Sequence, residues 1–154
     1  MTDDIKDIIF GGLAEIPATS RLYEAIMRLV NRYDEGITKE EAFADIHAAW
    51  NDRNVHDWCH TISNALIVVA SLLYGEGDYG RSICMAVETG FDTDCNGATV
   101  GSVLGMRGGE ATVGEEWKKP THGILDTTVY GAQKSEISAL VEKTMGHLTI
   151  EFEK

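Results

Sequence analysis

Prolines are scarce in this 154-residue chain, two in all, and basic side chains are outnumbered, 13 lysines and arginines against 25 aspartates and glutamates. Each shortage excludes something. With so little proline, few helices are broken from within. A net charge of −12 argues against a nucleic-acid partner, because phosphate contacts need lysine and arginine. A diphosphate is still a workable ligand where metal ions and helix N-termini supply positive potential locally. Three cysteines, an odd number at unpatterned spacing, make no disulfide framework and point to reduced thiols in a cytoplasmic protein. The apolar runs are too short or too interrupted to cross a membrane. The acidic N-terminus lacks the basic lead-in of a signal peptide. No internal repeat, linker composition or low-complexity segment divides the chain. One domain over residues 1–154 is therefore expected, large enough to bury about two-thirds of its unfolded surface.

What is present is helical periodicity almost throughout. Ile5, Ile8, Ile9 and Leu13 mark a short amphipathic helix ended by Pro17, with Thr2 as its cap and Asp3 and Asp4 favouring its positive end. Ser20 can cap a second helix with Leu22, Ile26, Leu29 and Val30 as its stripe. Thr38 and Glu41 make a capping box for a third, lined by Phe43, Ile46 and Trp50. After a polar loop over residues 51–58, the nearly all-apolar run from Thr61 to Leu73 reads as a central, surrounded helix. Asp78 opens the next, with Ile83, Ala86 and Val87 inward. Beyond Met106 the pattern loosens into an irregular stretch anchored by Trp117, then a helix near residues 135–145. The tail alternates Leu148, Ile150 and Phe152, a strand period that predicts an edge ribbon at most. The whole reads as an all-α bundle.

The chemistry concentrates between Gly90 and Gly101, in the run Gly90-Phe91-Asp92-Thr93-Asp94-Cys95-Asn96-Gly97 and onward. Two carboxylates two residues apart open what reads as a buried helix from about Asp94 to Met106. Burial of such a pair calls for a positive partner, and an oxygen-bound Mg²⁺ or Mn²⁺ suits it. The first helical turn, with its free N–H groups, keeps the aspartates ionised. The plain alternative is that Asp92 or Asp94 is an ordinary N-cap. Gly97, Gly101, Gly105 and Gly109 recur at spacing four. Glycine weakens a helix by about 1 kcal/mol relative to alanine, so this face predicts close approach of another backbone. A rival motif, His56-Asp57-Trp58-Cys59-His60, imitates the H-E-x-x-H zinc site, but its acid is short and no third ligand follows. His60 and Asn64 could form one helix face near a ligand cleft; the alternative is capping or core hydrogen bonding for each.

The string from Gly90 to Gly105 resembles the C-terminal signature of the ADP-ribosylglycohydrolase family, which includes dinitrogenase reductase-activating glycohydrolases, ADP-ribosyl-acceptor hydrolases and J1-crystallin-like proteins. The segment from Leu13 to Pro17, then Ser20 to Leu22, is similar to that family as well. So are His60-Thr61-Ile62-Ser63-Asn64-Ala65, Tyr74-Gly75-Glu76-Gly77-Asp78, and Trp117 before Pro120. The resemblance runs from about Leu13 to Met145 and is to the second half of such an enzyme.

It implies an orthogonal multi-helix bundle, the C-terminal portion of the family fold, and two metal ions held between an N-terminal Thr-Asp-Asp-Thr motif and a C-terminal Asp-Thr-Asp-Thr motif. The second motif maps onto Asp92, Thr93, Asp94 and Cys95. The metal ligands from this half would be Asp92, Asp94 and the fourth position, with Thr93 orienting them from behind. Cys95 stands where many members carry threonine, and a thiol is a soft partner for Mg²⁺. Thr2-Asp3-Asp4 copies the letters of the first motif but lies too close to the Ile16-Pro17 segment, with Ile5 where threonine belongs. The chain is thus expected to be a C-terminal fragment or truncated reading frame. The general acid or base would come from the missing half. The implied reaction is metal-dependent hydrolysis of the bond between ADP-ribose and an acceptor, with a separate N-terminal half or a homodimer completing the protein. A non-catalytic metal- or ADP-ribose-binding module and a structural, crystallin-like protein are the alternatives.

Overall fold

A computed structural model describes residues 2–152 of the chain. They fall into two compact units, one up to Thr112 and one from Val113. The first holds six helices: α1 (Ile5–Leu13), α2 (Arg21–Asp34), α3 (Lys39–Ala49), α4 (Thr61–Tyr74), α5 (Tyr79–Glu88) and α6 (Thr93–Gly108), followed by a 3-10 turn at Glu110–Thr112. The fold is all-α, as its periodicities dictate.

The helix that the sequence marks as central is central. α4 packs against α1, α2, α3, α5 and α6, and its Ile67 and Ala70 are sealed from solvent with Val30 of α2 and Val100 and Leu104 of α6. Each large aliphatic side chain so buried contributes roughly 1.5–3 kcal/mol. Among the buried polar side chains of the described residues, Ser71 Oγ on α4 has no hydrogen-bond partner, while others are satisfied. Ser82 Oγ donates to Asp78 O at 2.7 Å, and Tyr74 reaches across to Ile37 O at 3.0 Å. Burial, then the neighbouring Tyr33, pushes the Tyr74 phenol above its ordinary pKa.

Helix starts follow the chemistry of their caps. Ser20, Thr38 and Asp78 accept from backbone N–H groups in the first turns of α2, α3 and α5, and Thr38 with Glu41 closes a full capping box. At α1 the expected cap is corrected by two residues. Asp4, not Thr2, accepts from Asp7 N; Thr2 Oγ instead accepts from Asp4 N at 3.2 Å and donates to Asp7 at 3.0 Å. Aspartate outcompetes the hydroxyl because its charge also meets the helix dipole.

The glycine face of α6 also differs from expectation. α5 and α6 form the most extensive helix pair, but what approaches the glycines is side chain, not backbone. A Cβ on Gly97 would stand 3.1 Å from Val87 Cγ2, and one on Gly101 3.2 Å from both Ile83 Cδ1 and the Tyr79 hydroxyl. Gly105 has nothing within 4 Å, and Gly109 is the C-cap at φ +67°. The periodic glycines therefore serve two purposes, room for α5 side chains and a left-handed helix end.

In the second unit, α7 (Glu115–Lys118) carries Trp117 and leads into a 3-10 turn at Lys119–Thr121. A small antiparallel ribbon pairs β1 (Ile124–Asp126) with β2 (Lys134–Glu136), and α8 (Ile137–Phe152) follows. The irregular stretch read from the sequence is thus built of short elements. The strand expected in the tail is overturned: Leu148, Ile150 and Phe152 fall within α8. A helix under way gains a backbone hydrogen bond with each added residue, whereas three alternating apolar residues without a partner strand gain none.

Candidate metal centre

α6 begins in a turn that no simple cap would need. Gly90 and Phe91 both take positive φ, +86° and +60°. The second is costly for a bulky side chain. Phe91 is nonetheless buried, its ring 5.2 Å from that of His47 on α3. Asp92 follows at φ −83°, ψ 74°, with Thr93 N donating to Phe91 O at 3.0 Å. These are the marks of an inverse γ-turn centred on Asp92.

The consequence is chemical. The side chains at the starts of α1 to α5 all accept a bond from their own helix. Asp92 stands at the same position of α6 and makes no such bond. Its carboxylate turns instead toward Asp94 and Cys95, and ligand atoms of the three lie within 4.8 Å of one another. The ordinary-cap reading of Asp92 is therefore corrected. So is the expectation of burial: Asp92 is half-buried, while Asp94 and Cys95 are exposed. The Cys95 thiol donates to the Asp92 carboxylate, and that bond, then the Asp92 charge, partial desolvation and the Asp94 charge, holds the thiol above its ordinary pKa.

Asn64 locks this start in place. Its Oδ1 accepts from Asp92 N at 3.2 Å and from Asn96 Nδ2 at 2.6 Å. Its Nδ2 donates to Trp58 O at 3.0 Å and His60 O at 3.1 Å. An asparagine offers two acceptor and two donor positions, and all four are engaged within the protein. His60 is the N-cap of α4: Nδ1 accepts from Ile62 N at 3.1 Å, and the ring stacks on Trp50 at 4.5 Å. With Nδ1 as the acceptor, Nε2 is the ring nitrogen left to donate.

The zinc-like motif does not assemble. His56 lies in the turns that precede α4, and only residues from Thr61 onward are helical, so the two rings share no helix face. Thr2-Asp3-Asp4 is equally remote. Asp3 O accepts from Arg107 Nε at 2.6 Å, at the C-terminal end of α6. The axial distance back to Asp92–Asp94 is about 20 Å at 1.5 Å per residue. One acidic neighbour escaped the sequence reading. Asp52 lies against the signature turn, its Oδ2 3.2 Å from where a Gly90 Cβ would be. Only its place in a polar loop hinted at it.

Two carboxylates and a thiol at a helix start make a three-donor set, hard at Asp92 and Asp94 and soft at Cys95. The carboxylates fit Mg²⁺ or Mn²⁺; the thiol does not fit Mg²⁺. The ADP-ribosylglycohydrolase family model matches residues 1–152, and the chain belongs to that family. No curated protein and no solved structure matches it. No described helix is long and apolar enough to cross a membrane.

Proposed function

We propose that Asp92 and Asp94 are the carboxylate ligands of divalent cations, Mg²⁺ or Mn²⁺, in a site that hydrolyses the glycosidic bond between ADP-ribose and an acceptor. The observation that supports this reading most is the withheld cap: a carboxylate at a helix start, held by a γ-turn beside a second carboxylate and kept off its own backbone. A divalent cation bound there would orient the ribose hydroxyls and activate a water.

The protein's own groups have distinct parts in this reading. Asp92 and Asp94 accept the cation. Thr93, between them, steadies their orientation from behind. Asn64 sets the position of Asp92 through its backbone and has no hydrogen-bonding position left for a ligand. His60 keeps its Nε2–H as a donor for an anionic or hydroxyl group of the substrate. Cys95 remains a hydrogen-bond donor to Asp92 when Mg²⁺ is bound, because thiol sulfur competes poorly with water for a hard ion.

Mg²⁺ demands six ligands in near-ideal octahedral geometry. Two carboxylates leave the remainder to water and to a second chain, which would also supply the acid or base of the reaction: a separate N-terminal half or a second copy. The same shortfall favours a second reading of the chain by itself, a cation-binding module without turnover. Calorimetric titration with Mn²⁺, run beside an assay of ADP-ribose release from ADP-ribosylated protein, tests both. Saturable binding lost in Asp92→Asn and in Asp94→Asn is expected. Wild-type heats in both variants would leave the carboxylates a purely structural role.

A further inference from the structure

We propose that the cleft between α2 and α3 is a docking groove for an acidic amphipathic helix of another polypeptide. The two helices each pack on α4 yet touch one another sparingly. Between them lies a cleft of about 520 Å³. Ile62 and Leu66 of α4 form its floor, with Leu29 and Ile46 on its walls and Trp50 at one end. Its edge is basic in a chain of net charge −12. Arg21, Arg28 and Arg32, half of the chain's six arginines, line it from α2. Arg32 is already paired with Asp45 across the cleft. Arg21 and Arg28, both exposed, remain as two positive rungs seven residues apart, about 10 Å along the helix.

Shape and charge select the occupant. From Arg21 to Arg32 the groove runs about 17 Å, three helical turns. Furrows between helices accept the side-chain ridges of a third at about 8–10 Å separation. An apolar stripe would cover the floor, and glutamates or aspartates two turns apart would meet the arginines, the helix-in-groove mode of recognition. The groove is separate from the candidate metal centre. Asn64, which reaches that centre, lies about 160° around α4 from both Ile62 and Leu66 at 100° per residue.

The test uses the full chain and fluorescence anisotropy. The probe is a labelled synthetic helix of about five turns, with leucine at heptad core positions and glutamate flanking them. A lysine-flanked version and a scrambled version serve as controls. Saturable binding of the glutamate peptide is expected, weakened at least about tenfold by Arg21→Glu/Arg28→Glu. That double variant should accept the lysine peptide instead. Ala25→Trp, which fills the groove without changing charge, should also weaken binding. Circular dichroism confirms that each variant folds. Equal affinity for the scrambled peptide, indifference to the arginine exchange, or no binding by any peptide would overturn the proposal. So would a dimer in sedimentation that Arg28→Glu dissolves while the peptides fail to bind, since the groove would then belong to a second copy.

Discussion

Asn64 and Asp92, twenty-eight residues apart in sequence, meet where the side-chain oxygen of the first accepts the backbone N–H of the second at 3.2 Å. This one bond carries the position of the signature turn from α4 to α6. The same oxygen holds the buried Asn96 amide at 2.6 Å. Asn64→Ala therefore strands a buried donor and releases the turn. A loss of about 2 kcal/mol in urea unfolding is expected, together with weaker Mn²⁺ binding. An unchanged Mn²⁺ isotherm in the folded variant would show that the bond does not position Asp92.

Phe91 offers a test of the strained turn. Its ring is buried against His47, so Phe91→Ala should cost about 3 kcal/mol. Its φ of +60° favours glycine over alanine. Phe91→Gly should consequently be no less stable than Phe91→Ala, the reverse of the usual order. Chemical denaturation of the pair decides it.

The glycines of α6 should separate by environment. Gly105→Ala meets nothing within 4 Å and gains helix propensity, so a rise of about 0.5–1 kcal/mol is expected. Gly101→Ala meets Ile83 and Tyr79 at 3.2 Å and should gain less or destabilise. Equal gains in thermal unfolding would mean that α5 does not press on this face.

Local signals were legible in the sequence because local chemistry decides them. The Thr38–Glu41 box, the Ser20 and Asp78 caps and the apolar stripe of α2 all depend on residues within a turn of one another. The all-apolar run at Thr61–Leu73 likewise announced a surrounded helix. Asp92 and Asp94 were visible as a pair, but not the γ-turn that frees Asp92, because Phe91 in a left-handed conformation is stabilised by His47, 44 residues upstream. Asn64 was visible only as one helix face with His60 near a ligand cleft, while its role depends on a partner 28 residues away. The tail misled for the opposite reason: three alternating residues suit a strand, and nothing local shows that a helix already under way will pass through them.

The thiol of Cys95 should report on Asp92. The carboxylate holds it above its ordinary pKa, chiefly by accepting its hydrogen bond, so at a given pH less thiolate is present to react. Asp92→Asn removes the charge and should speed alkylation of Cys95 by iodoacetamide, followed residue by residue with mass spectrometry. Unchanged rates would separate the thiol from the carboxylate.

Glu41 supplies a pH signature. Its carboxylate lies below the ordinary glutamate pKa because Thr38 N–H and then the Thr38 hydroxyl hydrogen-bond to it. A lowered folded-state pKa stabilises the fold above the unfolded-state value, and that stability is lost as pH falls through the folded-state value. Glu41→Gln should flatten the acid limb of a stability-versus-pH curve in the carboxylate range. An unaltered limb would show that the capping box does not couple to protonation.

The central claim is that this chain contributes a working part of an ADP-ribose site through Asp92 and Asp94. Calorimetric titration of the chain with ADP-ribose, with and without Mn²⁺, beside Asp94→Asn, tests it most directly. The account expects binding that requires Mn²⁺ and disappears in the variant. No binding in either condition, or Mn²⁺-dependent binding that survives Asp94→Asn, would contradict it.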